Sequence, residues 1–203
     1  SEKYIKDEKE FVREIMRRAT DNLALEIGGT NGSAALRIEE RELRAFLMNL
    51  DEYEQIFQKV ERRLRVRIVV EALAKVNLKL DTRADFAERG NLDALAVELK
   101  KGNVAADVKP DEEHSAWMLT FQDATQAERR VNVELAASPE YRRLRALSRD
   151  VARYNQPPFT VVKQTARDTL NNWSDLLEHI KSEGKRDATV QRYKGLGEMN
   201  AGQ

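Results

Sequence analysis

No cysteine occurs among the 203 residues of this chain. A disulfide scaffold, a zinc ribbon and a cysteine nucleophile are thereby excluded. No apolar run reaches the roughly 18 residues that a membrane span needs. The opening SEKYIKDEKEF is charged and lacks an apolar signal core. These features predict a cytoplasmic protein that does not engage a membrane. Net charge is missing too, since 35 Lys and Arg balance 35 Asp and Glu. That balance excludes a bulk polycation that holds nucleic acid by total charge alone. Aromatic residues are 6% of the chain, too few for a platform that stacks single-stranded bases. Proline is confined to Pro110, Pro139, Pro157 and Pro158, so the first 109 residues have none. A proline-free, charge-rich first half favours long helices.

What is present suffices for a core: 41% of residues are apolar and 34% are charged. The patterning predicts an α+β fold. Asp7 to Ala19 reads as a helix capped by Asp7. Leu23, Leu25 and Ile27 alternate, as do Ala34, Leu36 and Ile38, so paired strands are expected around a Gly28–Gly32 hairpin loop. That glycine run lacks the Lys-Ser/Thr of a phosphate-binding P-loop. Leu43, Phe46, Leu47, Leu50, Tyr53, Phe57, Val60 and Leu64 recur at three and four, which predicts a helix of more than twenty residues. Val66 to Leu80 suits a second helix, although Leu64, Val66, Ile68 and Val70 also alternate like a strand. A third helix is expected over about Arg83 to Lys100. Together these form a helical hairpin lobe. Lys100 to Glu113 reads as a linker. Beyond it, strands are expected over His114–Phe121 and Arg130–Leu135, joined by a turn at Asp123–Glu128. A helix capped by Ser138 and started by Pro139 follows. Then come a short strand at Phe159–Val162, a helix over Thr169–Lys181 that ends at Gly184, and a short strand at Ala188–Gln191.

Charge is locally segregated. Residues 39–54 hold six acids and two bases, and Arg62, Arg63, Arg65 and Arg67 follow without an acid among them. Arg142, Arg145, Arg149 and Arg153 form one stripe, with Arg143 beside it. Such a stripe can track the phosphates of double-stranded DNA. The alternative is a solvated or internally salt-bridged face. Exposed arginines would favour the first reading, and arginines capped by Asp or Glu the second. In the tail, Arg192 and Lys194 adjoin Gly195 and Gly197. Those glycines permit close approach of a phosphodiester backbone, as they would in any flexible turn. His114 and His179 form no nucleophile–base arrangement with a Ser or Asp, and no catalytic or metal-binding set emerges.

The string QRYKGLGEMN, Gln191 to Asn200, resembles the end of the TOPRIM region in the B-type subunit of bacterial type IIA topoisomerases, above all the DNA gyrases. Tyr4-Ile5-Lys6-Asp7-Glu8 is similar to the segment following the last TOPRIM strands in the same subunit. Glu61-Arg62-Arg63 and Glu140-Tyr141-Arg142-Arg143 resemble the class that carries a long insertion between the two. The topoisomerase IV B subunit shares the tail motif, but usually has Phe where Tyr193 stands and generally lacks the insert. The resemblance implies TOPRIM flanks at 1–22 and 185–203, with a helical lobe at 23–102 and an α+β lobe at 103–184 inserted between them. It implies a parent enzyme that uses ATP and Mg²⁺ to introduce negative supercoils by duplex passage, working with the gyrase A subunit and the rest of the B subunit. The family's EGDSA-like and Asp-x-Asp metal motifs are absent here, so the resemblance carries over no catalytic or metal residue. The chain would be an excised, inactive fragment. It would either contact DNA through Arg142, Arg145, Arg149, Arg153, Arg192, Lys194, Gly195 and Gly197 or serve as a structural spacer.

Overall fold

A computed structural model gives the fold. It describes residues 2–29 and 35–201, with side chains over 7–29 and 35–194. Helix α1 (Glu2–Thr20) leads to strands β1 (Leu23–Ile27) and β2 (Leu36–Glu39), then α2 (Glu40–Leu64) and α3 (Arg67–Leu73). A 3-10 turn (Arg83–Ala87) precedes α4 (Arg89–Lys101). Strands β3 (Ala106–Asp111), β4 (Ala116–Gln122) and β5 (Glu128–Val131) follow, then α5 (Val133–Ala137) and α6 (Pro139–Val151). A second 3-10 turn (Ala152–Tyr154), β6 (Phe159–Lys163), β7 (Ala166–Leu170) and α7 (Trp173–Ala201) complete the chain. The fold is mixed α+β with two antiparallel sheets.

Two compact units divide the chain. One comprises residues 1–51 and 153–203, and the other residues 52–152. The resemblance placed its segment limits elsewhere, at 22/23, 102/103 and 184/185.

The first unit is built on a sheet of order β2-β1-β6-β7. Alternation explains it: Leu25 pairs with Ile38 on one side and Val161 on the other, and all three are buried. The opposite face is polar. There Glu26 accepts from Arg37 at 3.0 Å and from Arg167, whose hydrogen bond is the main reason its carboxyl lies below the usual range. Strand β7 is nearly all exposed and polar, which is why alternation failed to announce it. The expected β1–β2 pairing is present, while Thr30, Asn31 and Gly32 of the predicted loop lie outside the described residues. Helix α1 begins at Glu2, so Asp7 lies inside it rather than at its cap.

Helix α7 corrects four expectations. Asn172 Oδ1 accepts from Asp175 N at 2.8 Å, so the helix starts at Trp173 rather than Thr169. It then continues through Gly184, through the expected strand at 188–191 and through Gly195 and Gly197. A glycine costs a helix about 1 kcal/mol but does not end it, and no proline follows. Gly184 is there for proximity. A Cβ at this position would lie 2.6 Å from the Ile15 carbonyl oxygen and 3.1 Å from Ala19 Cβ. The two helices therefore touch backbone to backbone.

The second unit packs its helices against the sheet β3-β4-β5. Phe57, Phe86, Leu95, Leu119, Val131 and Leu144 lie in its buried core. The stretch read as a linker contains β3. Pro110 fits there because β3 is an edge strand, where a missing N–H costs no ladder bond. The expected strand over 130–135 stops at Val131. Asn132 Oδ1 accepts from Leu135 N at 3.0 Å and caps α5, which takes Val133 and Leu135 into a helix. The apolar run from Val66 is helical only as far as Leu73. The irregular residues after it are held by α6.

Candidate nucleic-acid interface

Helix α6 starts as expected: Ser138 Oγ accepts from Tyr141 N at 3.3 Å, and Pro139 occupies the first turn. Its inward stripe is Tyr141, Leu144, Leu147, Ser148 and Val151, with Arg145 among them. Arg145 is 2% exposed. Its Nη1 donates to the carbonyl oxygens of Leu73, at 2.8 Å, and Lys75. Its Nη2 donates to Leu78 O, and its Nε to Asp81 Oδ1 at 3.0 Å. Tyr141 Oη donates to Leu80 O at 2.6 Å, and burial pushes that phenol's pKa up. Carbonyls left orphaned where α3 ends are thus satisfied from α6. Arg145 therefore does not present itself to a phosphate, because its donors are turned inward to backbone carbonyls and Asp81.

The other stripe members lie at the surface. Arg142 is exposed and makes one long bond, Nε to Ala136 O at 3.4 Å. Arg143 grips Glu52 through two bonds of 2.6 and 2.7 Å. Arg149 Nη2 reaches Asp81 Oδ2 at 2.5 Å. Burial alone would raise the Asp81 carboxyl, but Arg145 and Arg149 outweigh it and hold it below its ordinary value. Arg153 belongs to the first unit, where it donates to Glu42 at 2.7 Å and lies 4.6 Å from the centre of the Tyr154 ring. Exposed pairs of this kind are worth about 0.2–1 kcal/mol. A phosphate can therefore compete for Arg143, Arg149 or Arg153.

In the tail, Arg192 and Lys194 are exposed on α7 and make no ion pair among the described residues. Gly195 and Gly197 carry helical backbone instead of the expected loop, so the predicted close-approach turn is not formed. The stripe is therefore not one site. Arg142 and Arg149 remain as a surface pair in the second unit, and Arg192 and Lys194 as another in the first.

Sequence reasoning missed Arg83. It lies at the start of the 3-10 turn, and its Nη2 donates to His114 O at 2.8 Å. It lines the same pocket as Arg142 and Arg149, a cavity of about 390 Å³ within the second unit. Nothing local distinguishes Arg83 from any other surface arginine, because only the tertiary fold brings residues 83 and 142 together.

The two histidines pair with carboxylates, His114 with Asp111 at 2.8 Å and His179 with Asp168 at 3.6 Å. Among the described residues no group of three or more His, Asp or Glu side chains could hold a metal ion. Among them, too, no helix is long and apolar enough to cross a membrane.

Alignment with known proteins reaches almost from end to end. Over 197 residues, 97% of the chain, 25% of positions are identical to a curated protein of Campylobacter jejuni. That protein is the B subunit of DNA gyrase. The chain spans 22% of its length. No family model matches the chain. The similarity to the gyrase B subunit covers both units and so includes α6, its pocket and α7.

Proposed function

We propose that this chain is a region of the B-type subunit of a type II DNA topoisomerase of the gyrase kind, an insertion with TOPRIM flanks that contacts the duplex. The end-to-end similarity to the gyrase B subunit carries this reading. ATP, Mg²⁺ and the A subunit would act with the parent enzyme, which introduces negative supercoils in the cytoplasm. The topoisomerase IV B subunit is the nearest alternative parent. The proposed phosphate contacts are Arg142 and Arg149 in one unit and Arg192 and Lys194 in the other.

The reading is tested by fluorescence anisotropy of the chain with duplex DNA across a salt series. If about four phosphates are neutralised, log K falls with log salt at a slope near −3.6. Arg192→Glu with Lys194→Glu is expected to reduce the slope by about 2. Affinity and slope that do not change would overturn those contacts.

A second reading has its own support. Arg145 and Tyr141 tie α6 to the segment after α3, as a brace would. If no duplex binds even at low salt, the chain is a structural spacer in its parent.

A further inference from the structure

We propose that the pocket lined by Arg83, Arg142 and Arg149 is a phosphate-binding site. The cavity of about 390 Å³ suits a small phosphorylated group rather than a lone water. Its basic side chains come from two places. Arg83 is fixed by its bond to His114 O, and Arg142 and Arg149 lie at opposite ends of α6. Among the described residues, Arg83 and Arg142 each make one hydrogen bond, to a main-chain carbonyl, which leaves most of their fork of N–H donors open to a ligand. Planar guanidinium groups bind phosphate oxygens in pairs, so such a cluster recognises an oxyanion better than scattered lysines would.

Among the described residues Asp81 is the one acid lining the pocket, and it is already engaged by Arg145 and Arg149. Its carboxylate occupies the place an anion would take beside Arg149, and holds that arginine ready while the pocket is empty. An arriving phosphate draws Arg149 across. Arg145 stays behind, buried and bonded to main-chain carbonyls, and keeps Asp81 compensated. Val133 and Ala136 give the pocket an apolar side. The ligand is thus a phosphate that carries a small organic group, either a nucleotide unit of DNA or a free phosphorylated compound. The phosphate chemistry stands on the pocket alone, and only its source in duplex DNA rests on the reading above.

The test is calorimetric titration of the whole chain with pyrophosphate at fixed ionic strength, followed in parallel by the Nε–H resonances of arginine. Arg83→Gln and Arg142→Gln should each weaken binding by about tenfold. Arg130→Gln, an exposed arginine of β5 that does not line the pocket, should change it less than about twofold. Asp81→Asn, which keeps an acceptor for Arg145 and removes the competing charge, should tighten it. Thermal melts verify that each variant folds. Equal affinity of Arg83→Gln, Arg142→Gln and Arg130→Gln overturns the site, as does failure of pyrophosphate to move any arginine resonance. If a short duplex competes with pyrophosphate, the site is occupied by DNA. Pocket-dependent pyrophosphate binding without such competition keeps the site and assigns it to a free phosphorylated compound, against the DNA reading for this unit. A duplex that binds with unchanged affinity and slope in both pocket variants, with no pyrophosphate binding, overturns the site together with Arg142 as a DNA contact, and leaves the DNA reading resting on Arg192 and Lys194 alone.

Discussion

Arg145 lies four residues after Tyr141 and three before Ser148, both of them buried. Spacing put it in one stripe with Arg142 and Arg149, but the same period also sets it beside Tyr141 and Ser148, and in the folded chain it lies on the buried side. Its partners were not legible, because Leu73 and Leu78 lie about seventy residues away and offer main-chain atoms that no side-chain pattern encodes. The same cluster fixes a pH dependence. Arg145 and Arg149 lower the pKa of Asp81 in the folded chain. A lowered carboxyl contributes stability that is fully present above its unfolded pKa, near 4, and is lost as pH falls through the folded value. Asp81→Asn should therefore destabilise the chain at about pH 7 and approach the parent's stability at about pH 3. Urea melts at the two pH values check this. A gap between variant and parent that is as wide at the lower pH as at the higher would contradict the assignment.

At the scale of elements, helices with strong apolar periodicity were readable. Helix α2 runs from Glu40 to Leu64, as its heptad-like spacing predicts, and α6 begins at the cap that Ser138 and Pro139 announce. Strands without that contrast were not. β7 is polar on both faces, and β3 contains a proline that reads as a break until the strand is seen at a sheet edge. The tail failed for another reason. Its glycines suggested punctuation, yet Gly184 serves contact with α1 and the helix runs on. This gives an element-scale prediction. Gly184→Leu forces side-chain atoms into the Ile15 carbonyl, and should lower stability by about 2 kcal/mol or more by overpacking. Gly184→Ala balances a gain in helix propensity of about 1 kcal/mol against the same clash. Thermal melts of both variants are the check. If the leucine variant melts at or above the parent's temperature, the close α1–α7 contact is refuted.

At the scale of the whole molecule, each unit has its own buried residues and its own sheet, and the first is assembled from both ends of the chain. Composition could not reveal this, since the chain leaves the first unit inside the unbroken helix α2. Lys100 to Glu113 reads as a linker in the sequence, but the contacts place Lys101 and β3 in one unit. A local lesion should therefore have a regional effect. Arg145→Leu leaves the carbonyls of Leu73, Lys75 and Leu78 without their donor and Asp81 without its buried partner, at a cost of about 3–5 kcal/mol. Hydrogen exchange should accelerate in β4 of the second unit while the amides of β1 in the first keep their protection. Equal acceleration in both strands would mean that the two units unfold as one.

On the polar face of the first sheet, Glu26 stands between Arg37 and Arg167, which reach it from either side. That arrangement constrains how this sequence can drift. Loss of the acid leaves Arg167 without this partner and Arg37 with Glu39 alone, so a change at 26 is better tolerated where 167 has changed already. The three positions lie far apart in the chain, yet their histories are tied. Among relatives of this protein they should be replaced as a set, in an order that seldom leaves both arginines in place without the acid.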